Sequence, residues 1–239
     1  MTKKDKIAHA IQCKAKEWSY PEDIFVRREN EFIETDGTFF GIITFGYNAM
    51  ILADKKIIDW CVETLSNVPA YGILDSDYLY IIQNKLREHG RKLGEENTCY
   101  LHLYPEQKVE KPQGFTFEIY EKDRMSLLYN MSSCFDSALN YDAKGEVLAI
   151  IARNGDEIAS VVGVDDYHIG LWQIGIDTAE NYRGKGLAAY LVKEMALESE
   201  KRGQVPFYTT WHSNLASIRT ALSAGFSPVW VEYFAENLY

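Results

Sequence analysis

LWQIGIDTAENYRGKGLAAYLVKEMALESEKR, residues 171–202, holds three kinds of pattern in succession. Residues 171–176 are almost all apolar and read as a strand. Residues 181–186 are polar and carry two glycines. From Leu187 the apolar positions fall at 187, 188, 191, 192, 195 and 196, the spacing of one helix face. Strand, glycine loop and helix in that order suit the binding of a pyrophosphate. The first backbone N–H groups of a helix have no acceptor inside it. Gly184 and Gly186 let the main chain approach an anion without side chains in the way, and Arg183 and Lys185 add positive charge.

Two familiar phosphate loops do not fit the frame. A Walker A loop ends in Gly-Lys-Ser/Thr, whereas Lys185 is followed by Gly186. A Rossmann turn needs a third small residue and an early place in the chain; here only Ala189 could fill that position, and the loop comes late. A β-loop-α unit of some other α/β fold is the remaining plain reading.

Arg183-Gly184-Lys185-Gly186-Leu187-Ala188 resembles the (Gln/Arg)-x-x-Gly-x-(Gly/Ala) loop of the GNAT acyltransferase superfamily. The resemblance continues through Asn214-Leu-Ala-Ser217, similar to the start of that family's next helix, and Ala224-Gly225-Phe226, similar to its exit. It covers residues 115–239. It implies a mixed, mostly antiparallel twisted sheet flanked by helices, an α/β (α+β) fold, here preceded by a smaller α/β domain. It also implies acetyl-CoA as co-substrate and an amine as acceptor, hence an N-acetyltransferase. By the same resemblance the pantetheine arm uses main-chain groups of Ile174, Gly175, Ile176 and Asp177, and the pyrophosphate sits on the N–H groups of Arg183, Gly184, Lys185, Gly186, Leu187 and Ala188. Asn214 and Ser217 touch the pantetheine or a phosphate. Asn214 is equally a helix N-cap, and both readings can hold.

For the chemistry, the resemblance asks for a base near the amine, an N–H for the oxyanion and an acid for the thiolate. An N–H near Ile174 suits the second task. The family's usual tyrosine acid, four residues before the Gly-Phe glycine, is replaced by Ala221, which leaves water, Tyr208 or a tyrosine of the helices that precede the hairpin. Where some members place a glutamate before the central strand, this chain has His168, whose intrinsic pKa suits a base. Asp165, Asp166 and Glu232 are further candidates. A domain that keeps the CoA loop without a clear acid could instead be a non-catalytic acyl-CoA sensor or scaffold.

The chain of 239 residues is long for one domain, and 46% apolar residues support a substantial core. Its net charge is −10, and seven of those charges fall after residue 114, where 10 Lys/Arg face 17 Asp/Glu. An acidic surface repels nucleic acid and suits a cationic small-molecule or peptide amine, with a homodimer as the one macromolecular partner considered. Cys13, Cys61, Cys99 and Cys134 are widely spaced, and the five histidines form no ligand spacing with them, so no metal site is expected. Reduced thiols, an N-terminal stretch without an apolar core and the lack of an 18-residue apolar run point to a cytoplasmic protein away from membranes.

Along the chain, helices are expected at 3–18 (capped by Thr2), 55–65 and 76–89. A strand-turn-strand unit spans 32–45, followed by strands at 49–52 and 98–104. The polar segment 105–114, bracketed by Pro105 and Pro112, places a boundary between domains 1–112 and 113–239. The first domain is either a degenerate copy of the second or an ordinary accessory domain. In the second, a strand at 115–120 leads to helical residues 122–141, which offer Tyr129, Asn130, Phe135, Asp136 and Tyr141 to an acceptor. A hairpin follows at 146–164 around Asn154-Gly155, then a polar link at 165–170. A strand at 206–211, a helix at 215–224 stopped by Gly225 and a strand at 226–234 close the chain.

Overall fold

A computed structural model describes residues 1–94, 96–129, 135–139 and 145–238. Its strands are β1 (Glu31–Glu34), β2 (Phe40–Thr44), β3 (Ala49–Ala53), β4 (Arg91–Leu93), β5 (Asn97–His102), β6 (Thr116–Glu121), β7 (Glu146–Asn154), β8 (Glu157–His168), β9 (Leu171–Thr178), β10 (Val205–Thr210) and β11 (Phe226–Asn237). The helices are α1 (Lys3–Glu17), α2 (Ile58–Leu65), α3 (Ala70–Ile73), α4 (Ser76–Arg87), α5 (Met125–Tyr129), α6 (Leu187–Lys201) and α7 (Leu215–Ser223). No helix among the described residues is long and apolar enough to cross a membrane.

The contacts gather these elements into two compact units. The first holds Met1–Glu17, Tyr100–Thr209 and Asn214–Pro228; the second holds Trp18–Cys99, Thr210–Ser213 and Val229–Tyr239. This division differs from the expected cut between residues 112 and 113. Helix α1 belongs with the C-terminal sequence, most of β11 belongs with the N-terminal sequence, and the polar segment 105–114 lies inside the first unit. Proline and charge mark a segment that runs over a surface, and a chain can cross a surface without leaving its domain.

In the first unit the strand order is β5-β10-β9-β8-β7-β6. Pairs β6/β7, β7/β8 and β8/β9 are antiparallel, and β9/β10 is parallel. The parallel pair follows from its connection, since α6 carries the chain back to the start of the sheet. The result is the mixed, mostly antiparallel sheet flanked by helices that the resemblance implied. Alternation along the strands divides the core in two. Leu148, Ile150, Val162, Val164 and Ile174 pack with Leu187, Leu191, Val192 and Met195 of α6. Ala149, Ile151 and Val161 point the other way and pack with Met125, Leu128, Phe135 and Leu139. With both faces covered, β7 reads in sequence as a continuous apolar run.

Helix α1 starts as expected: the Asp5 N–H donates to Thr2 Oγ1 (3.2 Å), and the Thr2 N–H donates to Asp5 Oδ2 (2.9 Å). Its basic residues do not all meet water. Lys6 is 5% exposed, donating to the His102 carbonyl (2.6 Å) and pairing with Glu200 (2.5 Å), which also bonds His102 Nδ1 (2.7 Å). A lysine can be buried when its ammonium is matched in this way.

Three local expectations change. Residues 122–141 do not form long helices over their described part. A 3-10 turn at Lys122–Arg124 runs into α5, and residues 136–138 are a turn; Asn130, Ser132, Ser133, Cys134 and Tyr141 lie outside the described residues. The link 165–170 is mostly strand, because β8 continues to His168 and pairs there with Leu171. In the hairpin β7/β8, Asn154 pairs with Glu157, so the two loop residues are Gly155 and Asp156.

The second unit has the order β1-β3-β2-β11, with β4 pairing the far end of β11. The expected strand-turn-strand unit at 32–45 is not a hairpin. β1 pairs in parallel with β3, and the hairpin is β2/β3 across Gly46-Tyr47-Asn48. Alternation identifies strands without naming their partners, and here β3 takes the edge of β2 that β1 would have used. Phe40, Ile42 and Ile51 form this unit's core with Cys61, Leu65, Ile82 and Leu86 from α2 and α4.

Candidate functional site

Two features of the first unit meet on β9. The first is a fork. β10 pairs with β9 at Val205↔Leu171, Pro206↔Trp172, Phe207↔Gln173 and Tyr208↔Ile174, and there the pairing ends. β9 runs on to Thr178, paired only on its other side with β8. Among the described residues, Gly175, Ile176, Asp177 and Thr178 thus have no strand on the β10 side, and they remain partly exposed. At the crotch, Gln173 Nε2 donates to Thr209 Oγ1 (3.2 Å).

The second feature is the loop into α6. Gly184 has φ +75° and Gly186 φ +78°, a left-handed conformation that glycine adopts without the cost a side chain adds. Among the described residues nothing accepts from the N–H groups of Gly184, Lys185, Gly186, Leu187 or Ala188. The first turn of a 15-residue helix therefore presents free donors and the positive end of its dipole. The Arg183 N–H, expected to join these five, instead donates to the Glu180 carbonyl (3.2 Å), because Glu180–Tyr182 form a 3-10 turn that ends on it; Arg183 Nε donates to the Thr178 carbonyl (3.3 Å), and the Lys185 ammonium stands 4.8 Å above the Tyr182 ring. Both side chains are exposed. Such a loop can hold an anion.

Asn214 caps α7: its Oδ1 accepts from the Ser217 N–H (3.1 Å). The Ser217 hydroxyl lies 2.7 Å from the Tyr208 hydroxyl. Tyr208 is 3% exposed, and burial pushes its phenol up from the ordinary range. Of the two acid or base candidates, Tyr208 is thus tied to α7. His168 stands behind Gln173, with Nε2 3.1 Å from Gln173 Oε1 and Nδ1 3.4 Å from Glu17. The His168 ring packs edge-on against Phe207. Hydrogen bonding to His168 lowers the Glu17 carboxyl, against the opposing effect of burial.

The other face of β8 and β9 carries a cavity of about 150 Å³, lined by residues of the turn 136–139 and by Glu146, Gly163, Val164, Asp165, Gln173 and Gly175. Cross-strand pairing puts these residues together: Gly163 faces Gly175 and Asp165 faces Gln173. The turn lies directly on the glycine pair. A Cβ on Gly175 would strike the Ser137 carbonyl, and one on Gly163 the Ala138 carbonyl. The Asp177 carboxylate anchors the turn by accepting from the Ser137 (2.7 Å) and Ala138 (3.1 Å) N–H groups. Glu146 reaches the cavity through a bulge. Glu146 pairs with Asp165 and Leu148 with Val164, so Val147 is an extra residue that turns Glu146 onto the Asp165 face. Its carboxylate accepts from the Tyr129 hydroxyl. Burial pushes the Asp165 carboxyl above its ordinary value.

Sequence reading picked out Asp136 and Asp165 but missed Glu146, Gln173, Gly163 and the side-chain role of Asp177. The one available signal was a glutamate opening the apolar run of β7. Glu232 belongs to the second unit, where Trp230 Nε1 donates to it (3.3 Å).

Comparison with curated proteins gives no match. Among solved structures, a protein described as a GNAT-family acetyltransferase from Novosphingobium aromaticivorans is 21% identical, with 61% of this chain and 66% of that chain covered and a TM-score of 0.44. The match thus spans just under two thirds of that chain. A GCN5-related N-acetyltransferase-like protein from Streptococcus suis is 16% identical over 68% and 69% of the two chains, with a TM-score of 0.46. The Salmonella typhimurium protein yncA, solved with its cofactor acetyl-CoA, is 14% identical over 53% and 95%, with a TM-score of 0.38. The model of the GNAT acetyltransferase family matches residues 88–231, more than half of the chain and all of the fork, the loop and the cavity-lining residues. This chain belongs to the GNAT acetyltransferase family.

Proposed function

We propose that the protein transfers an acetyl group from acetyl-CoA to an amine by direct attack in a ternary complex. One observation carries this reading: five successive free N–H groups, Gly184 to Ala188, open a helix beside two strands that part after Ile174 and Tyr208. The N–H groups of Gly184 to Ala188 hold the pyrophosphate, with charge from Arg183 and Lys185. Main-chain groups of Ile174, Gly175, Ile176 and Asp177 take the pantetheine arm as a missing strand would be taken. Asn214 and Ser217 stand at the start of α7 to meet the same ligand. An N–H at the crotch near Ile174 receives the negative charge that develops on the thioester oxygen. Positioning accounts for much of the rate, which suits a site whose acid and base are not marked by a dedicated side chain.

The net charge of −10 supports a cationic small-molecule or peptide acceptor over nucleic acid or a membrane surface. The buried free thiols Cys13, Cys61 and Cys99 support a cytoplasmic setting. Titration calorimetry should show acetyl-CoA binding, and thermal unfolding should shift upward with acetyl-CoA but with neither ATP nor NAD. Free thiol should then appear with some amine from a panel of polyamines, aminoglycosides, amino acids and peptides. No heat at millimolar acetyl-CoA overturns the reading. A second reading, an acyl-CoA sensor, is favoured by Ala221, buried where the family's usual acid would stand. It predicts binding with no thiol release on any acceptor.

A further inference from the structure

Four polar side chains from four elements stand in line at the crotch of the fork. Glu17 ends α1, His168 ends β8, Gln173 lies on β9 and Thr209 on β10. Glu17 Oε1 faces His168 Nδ1 at 3.4 Å, His168 Nε2 lies 3.1 Å from Gln173 Oε1, and Gln173 Nε2 donates to Thr209 Oγ1 (3.2 Å). Thr209 is the first β10 residue beyond the last pair with β9. By alternation it shares a strand face with Phe207, whose ring packs edge-on against His168. The line thus runs from the N-terminal helix to the point where the strands part. Glu17 comes from outside residues 88–231, the part matched by the family model.

Hydrogen-bond chemistry gives the line a direction. His168 Nδ1 is sealed from solvent and in line for no hydrogen bond among the described residues; the Glu17 carboxylate, 3.4 Å away, is the group it faces. An ionised carboxylate only accepts, so Nδ1 carries a hydrogen. Pairing with His168 is the largest influence on the Glu17 carboxyl, which lies below its ordinary value. Lys14 also pairs with Glu17 (3.2 Å), and Asp165 on β8 stands within electrostatic reach of the ring. At the other ring nitrogen Gln173 presents its oxygen, so Nε2 carries a hydrogen as well, and a ring with both is an imidazolium. With its oxygen turned to the ring, the Gln173 amide has only N–H to offer Thr209. Thr209 must accept, which uses one lone pair and turns its own hydrogen away from Gln173. A neutral ring with a bare Nε2 would turn the amide over and claim the threonine hydrogen.

Resting on the acetyl-transfer reading above, we infer that the Thr209 hydroxyl shuttles a proton from the attacking nitrogen to the departing sulfur, and that Gln173, His168 and Glu17 are positioning residues that keep its hydrogen turned toward the crotch. Ala221 stands where the family's usual acid would be, so the thiolate needs another donor. After accepting from Gln173, the hydroxyl has one lone pair and one hydrogen left, the two things a shuttle uses. The amine lone pair forms the N–C bond, and a carbonyl pair moves onto oxygen. When the C–S bond breaks, its electron pair goes to sulfur. Thr209 gives its hydrogen to that sulfur and takes one from the nitrogen in the same step, since a hydroxyl is too weak an acid to donate alone. Neutral amine and thioester become amide and thiol, and Thr209 and the imidazolium end as they began. An amine that arrives as ammonium first leaves one proton in solvent.

Thiol release at saturating acetyl-CoA, with the fastest amine of the panel above, tests the shuttle, and calorimetry with acetyl-CoA shows that each variant is intact. Thr209→Val keeps the shape of the side chain and should lower kcat about 100-fold, the low end of what general acid–base catalysis supplies, with acetyl-CoA affinity unchanged. Thr209→Ser keeps the hydroxyl and should recover most of that rate. Gln173→Glu presents only acceptors to Thr209, captures its hydrogen and should lower kcat about ten-fold or more. Glu17→Gln should lower kcat about ten-fold with both KM values steady, and Glu17→Asp should lower it less. Because Glu17 acts through Thr209, Glu17→Gln should add nothing in the Thr209→Val background. An unchanged kcat in Thr209→Val or Gln173→Glu, or an equal loss from Glu17→Gln in both backgrounds, overturns the shuttle while leaving acetyl transfer standing. So does a Thr209→Val loss that appears only as weaker acetyl-CoA binding. A parent protein that binds acetyl-CoA and releases no thiol with any amine overturns acetyl transfer and the shuttle together.

Discussion

The two sides of β9 are built from different materials. On the side of the fork, the groups that matter are main-chain N–H and C=O left over where a helix begins and a strand loses its neighbour. On the side of the cavity, they are side chains brought together from β7, β8, β9 and a turn by pairing, by a bulge and by a carboxylate anchor. The first kind of site depends on backbone shape and so leaves a contiguous motif. The second depends on what lies opposite what, and its residues are scattered from 136 to 175. Within one fold, a site of the first kind can therefore be recognised from a short motif, whereas one of the second kind leaves none.

Substitutions can test how separate the two sides are. The largest effect is expected at the glycine that both share. Gly175→Val drives a side chain into the Ser137 carbonyl, and overpacking of this kind should cost about 3 kcal/mol in urea unfolding. If stability is unchanged, the turn does not rest on β9 and the cavity is not closed as described. Next, Gly186→Val acts on the fork side alone. A β-branched residue at φ +78° costs about 1–2 kcal/mol, so calorimetry should record acetyl-CoA affinity down by about ten-fold or more.

Asn214→Ala sharpens the double reading of that residue. Loss of the cap should lower stability by about 1 kcal/mol. If acetyl-CoA affinity falls as well, Asn214 is both cap and ligand; if it does not, the cap is its whole role. The smallest effect concerns pH and the cavity. Burial raises the Asp165 carboxyl above its unfolded value, so ionising it opposes folding. Its cost is absent below the unfolded value, about pH 4, and appears as the pH rises through the raised folded value. Asp165→Asn should therefore be slightly more stable than the parent at pH 7, with the gain gone near pH 4, as chemical denaturation at the two values would show.

Much of this was open to reading before any fold was known. Residues 171–202 announce a strand, a left-handed loop and a helix because each has its own local rule: apolar run, paired glycines, 3.6-residue spacing. The caps at Thr2 and Asn214 are equally local, each a side chain bonding an N–H three residues on. The failures have a common cause. That β1 joins β3 instead of β2, that α1 packs in the same unit as residues 100–209, and that Lys6 is buried against Glu200 all depend on contacts between residues far apart in the chain.

From sequence alone came the family, the strand-loop-helix unit and the place of the free N–H groups, because backbone conformation follows from neighbouring residues through sterics and periodicity. The tertiary structure alone decided that β9 and β10 part after Ile174, that a bulge at Val147 turns Glu146 toward Asp165, and that Asp177 anchors the turn over the glycine pair. Those are facts of register and of opposition across strands, and a residue's neighbours in space are not written in its neighbours along the chain.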